Sequence, residues 1–258
     1  MNHKRNLKIM NKMKTLKIIN TALIVTTIVT TLSCSKDDLC IAAHGNVITK
    51  EIAMADFSGI EATGNDQVSI IQGDIQKVEV TGHSNIVDKL ETDVKNGIWE
   101  IELENGCYTG NTELSIEIVV PNMNKIKLEG SGNIEVGDFN DQIDMEVEVV
   151  GSGNIVMQGN TGTENLFIDI EGSGDISIMK DFTDLIMLDI DMDGSGNYEG
   201  FNNITDKCSI NSTGSGSSNV YVRDLLDVKI TGSGNVNYKG NPQIIADITG
   251  SGQIVNMN

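Results

Sequence analysis

Apolar and polar residues alternate along most of the C-terminal half of the chain. Between residues 145 and 157, Met, Val, Gly and Ile fill the odd positions, and most even positions are polar. The segment 228–238 shows the same pattern at even positions. A period of two is typical of a β-strand that buries one face. The pattern therefore predicts an all-β protein.

A Gly-Ser-Gly triplet occurs seven times within this alternation and does not change its phase. Successive triplets begin 21, 21, 22, 20, 18 and 18 residues apart. A period near 20 residues is typical of a solenoid, whose repeats stack on one another. Because the phase is unbroken, both glycines of a triplet are expected to face inward and the serine outward. The glycines are Gly130, Gly132, Gly151, Gly153, Gly172, Gly174, Gly194, Gly196, Gly214, Gly216, Gly232, Gly234, Gly250 and Gly252.

Glycine at these positions indicates a corner, where the interior is too tight for a side chain or the backbone bends sharply. Stacked triplets predict one corner along a parallel β-helix, or β-solenoid, with coils of about 20 residues and two or three short strands per coil. The position after each triplet is expected to carry a hydrogen-bonded ladder of side chains. It is filled by Asn133, Asn154, Asp175, Asn197, Ser217, Asn235 and Gln253.

The N-terminus has a different pattern. Six basic residues precede an apolar run of about fifteen residues, which is shorter than the ~20 that a membrane-spanning helix needs. This arrangement predicts a secretory signal peptide over residues 1–33. Its Leu-Ser-Cys end resembles the bacterial lipobox, which predicts cleavage before Cys34 and lipidation there, palmitate included. An ordinary secretion signal followed by an unrelated cysteine is the alternative.

The predicted mature chain divides into a lipidated tether, residues 34–44, and one β-helix domain, residues 45–258. The chain contains only two prolines and no linker-like stretch, which argues against a second domain. Residues 45–125 have the same strand character with weaker repetition, and 62–65 resemble a decayed corner. A solenoid needs an atypical cap at its end, and this N-terminal part is expected to supply it.

The charge balance narrows the choice of partners. The predicted mature chain has 12 basic and 37 acidic residues, a net charge of −25. Such a charge repels nucleic acid. We therefore expect no nucleic-acid partner, and a membrane contact only through the lipid anchor. The Lys36-Asp37-Asp38 stretch resembles the tag of surface-exported lipoproteins, which predicts an outer-membrane lipoprotein at the cell surface. A periplasm-facing anchor is the alternative.

Three cysteines remain besides Cys34, and the oxidising cell envelope permits disulfides. Cys208 shares the phase of the core residues around it, so it is expected to be a buried free thiol. Cys40 lies near the start of the fold and Cys107 lies in a loop. These two are the expected disulfide pair.

Seven short segments follow one another in order before the series of triplets. They are Gly45–Glu51, Phe57–Ile60, Val68–Asp74, Val78–Gly82, Asn85–Val87, Val94–Ile101 and Val119–Pro121. Together with the triplets, they resemble the family of auto-transporter adhesin head GIN domains. The resemblance covers about residues 45–258 and implies a right-handed parallel β-helix, often on lipoproteins of Bacteroidetes-type bacteria, without an established activity.

No catalytic, metal or cofactor site is predicted. His44 and His83 lie far in sequence from Arg223, the one arginine of the mature chain, so the base and cation of a β-helix lyase are not evident. Three carboxylates share a strand face and suit an acid/base pair, a Ca²⁺ site or solvated charge. Their outward phase favours solvated charge. They are Asp189, Asp191 and Asp193.

The sequence thus predicts a non-enzymatic, lipid-anchored envelope or cell-surface protein, an adhesin or a structural binding protein with a host, matrix or glycan ligand. A glycan-binding or glycan-active β-helix protein is one alternative, favoured if an acidic and aromatic groove lies on one face. Phe167 and Tyr221 are out of phase with the core and are expected to be exposed. A periplasmic accessory lipoprotein is the other alternative. Exposed coil edges also favour self-association.

Overall fold

The computed structural model describes residues 40–142 and 144–258. The predicted signal peptide, Cys34 and the tether up to residue 39 lie outside the described residues. The described chain is a parallel β-solenoid of about six turns, with coils of about 21 residues. The predicted fold class is therefore confirmed.

The described residues form 23 strands and one short helix. In chain order they are β1 (Ile41–Ala42), β2 (Val47–Glu51), β3 (Gly59–Gly64), β4 (Gln67–Gln72), β5 (Lys77–His83), α1 (Ser84–Val87), β6 (Val94–Lys95), β7 (Ile98–Ile101), β8 (Tyr108–Thr109), β9 (Ser115–Val120), β10 (Lys125–Gly130), β11 (Asn133–Val136), β12 (Asp144–Gly151), β13 (Asn154–Met157), β14 (Asn160–Thr161), β15 (Asn165–Gly172), β16 (Asp175–Ile178), β17 (Phe182–Thr183), β18 (Met187–Gly194), β19 (Tyr198–Gly214), β20 (Ser218–Gly232), β21 (Asn235–Lys239), β22 (Gln243–Gly250) and β23 (Gln253–Asn256).

Two rows of parallel strands meet at the Gly-Ser-Gly corner. The strands that precede the corner form the long-strand face: β7, β3, β10, β12, β15, β18, the C-terminal parts of β19 and β20, and β22. The strands that follow it form the short-strand face: β9, β4, β11, β13, β16, the N-terminal parts of β19 and β20, β21 and β23.

The core fills the space between the two faces, and its residues follow the period of two. In β12, Met145, Val147 and Val149 are buried, and the residues between them are exposed or half-buried. Each coil also has a third side, which connects the short strand to the next long strand. Phe139 and Phe182 are buried on this side, where β14 pairs with β17. Each coil thus buries one apolar row against its neighbours, which a single coil could not do alone.

The N-terminal part departs from coil-by-coil stacking. The coil formed by β3 and β4 lies between the β7/β9 coil and the β10/β11 coil, so chain order and spatial order differ. Strand β5 then pairs antiparallel with both β9 and β2. Ile86 and Val87 of α1 are buried beside them. This arrangement ends the regular parallel stack and covers the core at that end.

Candidate binding surface

The corner glycines occupy positions that a side chain would not fit. Gly151 has φ +121°, and a Cβ on it would lie 2.6 Å from the carbonyl oxygen of Gly130 in the preceding coil. The N–H groups of Ser152 and Gly153 both donate to that same carbonyl, at 2.8 and 2.9 Å. The serine between the glycines faces solvent. The corner therefore serves the stacking of the coils, and its side chains offer little to a ligand.

The glycines are less enclosed in the last coil. The second glycine is buried in the six preceding triplets, and the first is half-buried. Gly250 is exposed and Gly252 is half-buried, because no further coil covers them in the described residues.

A ladder of polar side chains runs beside the corner. Asn154 Nδ2 donates to Asn133 Oδ1 at 3.2 Å, and Asn154 Oδ1 accepts from the N–H of Asp175 at 3.2 Å. Asp175 Oδ1 in turn accepts from the N–H and the Nδ2 of Asn197, at 2.8 and 2.9 Å. The donors and acceptors of this row are largely used by neighbouring coils, so it is a structural feature.

The cysteines separate into a bonded pair and a buried thiol. Cys40 and Cys107 form a disulfide, with their Cα atoms 4.5 Å apart, next to the pairing of β1 with β8. Cys208 is 2% exposed in the core. Burial raises the pKa of its thiol, because the thiolate would be desolvated there. Cys208 is therefore a core side chain and a poor nucleophile.

The outward side of the long-strand face carries charge in columns. One column lies three residues before each triplet, so its members are in register from coil to coil. Along β10, β12, β15, β18, β19 and β20 it contains Lys127, Glu148, Asp169, Asp191, Asn211 and Lys229. Three carboxylates thus follow one another between a lysine and an amide.

The first part of this column is neutralised by lysines. Lys127 Nζ lies 2.8 Å from Glu129 and 2.9 Å from Glu148, and hydrogen bonds to these two carboxylates raise its pKa. Lys125 Nζ lies 3.2 Å from Glu146. These pairs are partly exposed, so each contributes little to stability.

The next part of the column lacks such partners. Among the described residues, no lysine or arginine nitrogen lies within 4 Å of the carboxylates of Asp169 or Asp191. Burial raises the pKa of Asp169, and the nearby charges of Glu148 and Asp191 raise it further. Asp191 accepts a hydrogen bond from Asn211 Nδ2 at 3.0 Å. This part of the face therefore keeps acceptor groups free for a ligand.

An aromatic ring lies beside the unpaired carboxylates. Phe167 is 44% exposed and stands in register with Glu146 on one side and Asp189 on the other. A groove of about 460 Å³ follows this ring, and we call it the Phe167 groove. Its polar lining is Glu146, Asp169, Asp189, Asp191 and Asn211. The groove combines one apolar surface with several hydrogen-bond acceptors.

Other residues considered from the sequence do not converge on this groove. His83 Nδ1 lies 3.0 Å from the carbonyl oxygen of Gly45 in the N-terminal part, and the His44 N–H donates to Asn85. Arg223 is paired with Asp206 at 2.9 Å. Tyr221 is half-buried, in contrast to Phe167. The two histidines and the arginine thus take separate structural contacts.

The carboxylates Asp189, Asp191 and Asp193 lie on the outward side of β18 as their phase predicts, half-buried in the first case and exposed in the others. Within the described ranges, no group of three or more His, Cys, Asp or Glu side chains is arranged to hold a metal ion.

Half of the polar and aromatic side chains of the groove were singled out from the sequence, namely Phe167, Asp189 and Asp191. Glu146, Asp169 and Asn211 were not. The signal was present in the repeat itself. Aligning the chain on the triplets places Glu146, Phe167 and Asp189 five residues before successive corners, and Asp169, Asp191 and Asn211 three residues before them.

Comparison with known proteins bears on the fold and the family. The family model described as "Putative auto-transporter adhesin, head GIN domain" matches residues 56–242. The chain belongs to this family. No curated protein matches the chain.

Solved structures similar to this head GIN domain include proteins from Bacteroides and Parabacteroides species. A "putative adhesin" from Bacteroides fragilis is 22% identical with a TM-score of 0.77, covering 84% of this chain and 100% of that one. A "putative adhesin" from Parabacteroides merdae is 21% identical with a TM-score of 0.66, covering 84% and 99%. A "putative lipid binding protein" from Parabacteroides distasonis is 26% identical with a TM-score of 0.65, covering 84% and 99%.

The family label is that of an adhesin and not of an enzyme, and an adhesin family is typical of the cell surface or envelope. In the part of the chain that the structure describes, no helix is both long and apolar enough to cross a membrane.

Proposed function

We propose that this head GIN domain protein is a non-enzymatic adhesive protein of the outer membrane, held at the cell surface by a lipid on Cys34. The observation that carries the proposal is the long-strand face, a continuous outward surface of in-register strands with free carboxylates and an exposed ring. The family to which the chain belongs supports the adhesive role. The sequence around residues 18–38 supports the anchor and the export.

The rigidity of the scaffold suits this role. The outward residues of the long-strand face are fixed by a buried row on the same strands, such as Ile168, Ile170 and Ile190, each at most 2% exposed. A surface that is already ordered loses little conformational entropy when it binds a ligand. Binding would then need no folding or loop closure.

Protease shaving of intact cells tests the location, with lysed cells as the control. We expect the protein to be lost from intact cells, and labelled palmitate to be incorporated by the wild type but not by a Cys34→Ser variant. Full protection in intact cells with cleavage after lysis would exclude the surface adhesin and would favour a periplasmic accessory lipoprotein. Absence of label from the wild type, or equal labelling of the Cys34→Ser variant, would exclude the lipid anchor.

A second candidate function, glycan binding, is favoured by the Phe167 groove. Sugar rings pack their apolar faces on aromatic side chains, and carboxylate and amide groups take the hydroxyl hydrogen bonds. The excess of carboxylates would repel sulfated or carboxylated glycans, so the expected ligands are neutral or amino sugars.

Binding to an array of neutral, amino and acidic oligosaccharides tests this candidate. We expect retention of neutral or amino sugars, lost in the Phe167→Ala variant and kept in Ile75→Ala, which removes an 80% exposed side chain elsewhere on the surface. Binding that Phe167→Ala leaves unchanged would exclude the groove. Preference for acidic sugars would contradict the charge argument.

A further inference from the structure

The C-terminal end of the solenoid presents core residues without cover. Ile244 and Ile248 of β22 are 38% and 41% exposed, and Ile254 of β23 is only partly buried. Their in-register neighbours one coil earlier are Leu226, Ile230 and Val236, which are at most 1% exposed. The last coil therefore has the apolar row of an interior coil on a surface that faces out. We call residues 243–257 the end coil.

The backbone of the end coil is also unpaired on its outer side. Strand β22 pairs only with β20, and β23 pairs only with β21, among the described strands. In the preceding coil, the carbonyl of Gly232 accepts the N–H groups of Ser251 and Gly252, at 2.8 and 3.1 Å. The equivalent carbonyl of Gly250 has no such donors among the described residues. An open strand edge of this kind favours pairing with another strand.

The opposite end of the solenoid is protected. Antiparallel β5 and β2 and the buried residues of α1 cover the core there. Ion pairs lie around this end, such as Lys50 with Asp88 at 2.8 Å and Lys77 with Glu79 at 3.0 Å. The two ends therefore differ, and the described residues of the N-terminal end do not form an uncovered apolar row to match the C-terminal one.

The low charge of the end coil indicates which kind of partner can bind there. The end coil contains one ionisable side chain, Asp247, although the chain as a whole has an excess of 19 negative charges. That excess makes the surfaces of two copies repel on average, whereas two end coils bring only two side-chain carboxylates near each other. The end coil also carries both donors and acceptors along its edge. It is therefore complementary to itself.

We propose that the end coil is the interface of a two-fold dimer, in which the C-terminal ends of two copies cover each other. A two-fold axis across the solenoid would set the edge strands of the copies antiparallel. The row of Ile244, Ile248 and Ile254 would meet its own copy. Such an interface is isologous, so it closes at two subunits and does not extend into a filament. The dimer would present two long-strand faces, which increases the avidity of weak binding.

Sedimentation equilibrium of the mature chain expressed from residue 35, without the signal peptide and Cys34 and so without a lipid, tests the proposal. Measured over about a hundredfold range of concentration, the mass should follow a monomer–dimer equilibrium. Ile248→Asp should raise the dissociation constant at least about tenfold, because it places a charge in an apolar contact. The matched control Ile75→Asp alters a more exposed residue away from the end and should change nothing.

Oxidative cross-linking keeps the test independent of any effect of Ile248→Asp on folding. A single Asp247→Cys variant should form a covalent dimer, and a single Lys50→Cys variant, at the opposite end, should not. A monomer at every concentration would overturn the proposal. Three other results would overturn it as well. They are a dimer whose dissociation constant Ile248→Asp leaves unchanged, a covalent dimer of the Lys50→Cys variant, and growth of the protein into filaments.

Discussion

Each glycine of the Gly-Ser-Gly corner lies where the backbone of the preceding coil approaches closely. A Cβ on Gly153 would lie 2.6 Å from the carbonyl oxygen of Gly132 and 2.6 Å from Leu128 Cδ2. The coil below holds both atoms in place, so the corner cannot relax without shifting a stacked strand. The sequence predicted either an interior too tight for a side chain or a sharp backbone bend. These contacts and the φ of +121° at Gly151 show that both apply at the corner.

We expect Gly153→Ala to lower the free energy of unfolding by about 1–3 kcal/mol, the usual cost of overpacking. Ser152→Ala is the matched control, since its side chain is exposed at the adjacent position. It should change stability by less than about 0.5 kcal/mol. Urea unfolding followed by circular dichroism measures both. Equal losses would show that the triplet is needed for another reason.

The raised pKa of Asp66 leads to a second prediction about a single residue. Burial raises its pKa to about 6, and the charge of Glu113 adds to the shift, although the Leu114 N–H donates to it at 2.8 Å. Since the folded pKa is above the unfolded value, ionisation opposes folding. The stabilising contribution is full below about pH 4 and is lost as the pH rises through 6.

Asp66→Asn keeps an acceptor for the Leu114 N–H and removes the ionisation. We expect it to be more stable than the wild type at pH 7.5 by about 1–2 kcal/mol, with the difference vanishing near pH 4. Asp224→Asn, which removes an exposed carboxylate, is the control for the general loss of charge. A difference that does not depend on pH would contradict the assignment.

At the scale of the strands, the sequence specified the repeating part well and the cap poorly. The period of two and the unbroken phase through the triplets define which side of each strand is buried, and residues such as Met145 and Ile155 follow that phase. The antiparallel pairing of β5 depends on which strand edges are left free after the coils stack. That is a tertiary property, and the alternation in residues 77–83 is the same for either direction.

The disulfide that closes the loop between Cys40 and Cys107 should contribute measurably to the stability of the fold. Cys40 and Cys107 are 67 residues apart in sequence, so the bond restricts the unfolded chain substantially. We expect the Cys40→Ser/Cys107→Ser double variant to lose about 2–4 kcal/mol of stability. A reducing agent should destabilise the wild type and leave the double variant unchanged. Equal sensitivity to reductant would show that the bond does not form in the protein.

At the scale of the whole molecule, the groove could not be assembled from the sequence because its residues come from four coils. Glu146, Phe167, Asp189 and Asn211 are separated by about one coil each, and the stacking brings them to neighbouring strands. The unequal spacing of the triplets hides these columns unless the chain is aligned on its corners. The lack of cover on the end coil could not be predicted from the sequence either, because its apolar and polar residues alternate as they do in an interior coil.

Stacking the coils also stacks like charges, and this predicts a dependence of stability on salt. Asp169 lies in register between Glu148 and Asp191, and its raised pKa, due first to burial and then to these charges, means that ionisation opposes folding.

Raising the salt from about 0.01 M to about 1 M shortens the Debye length from ~30 Å to ~3 Å and should raise the melting temperature. Asp169→Asn should melt roughly 1–3 °C higher at low salt and should gain less from added salt. Asp138→Asn is the matched control. Asp138 pairs with Lys180 at 2.8 Å, so this substitution removes a favourable ion pair instead of a repulsion. If both variants respond to salt as the wild type does, repulsion along the column does not limit the stability of the solenoid.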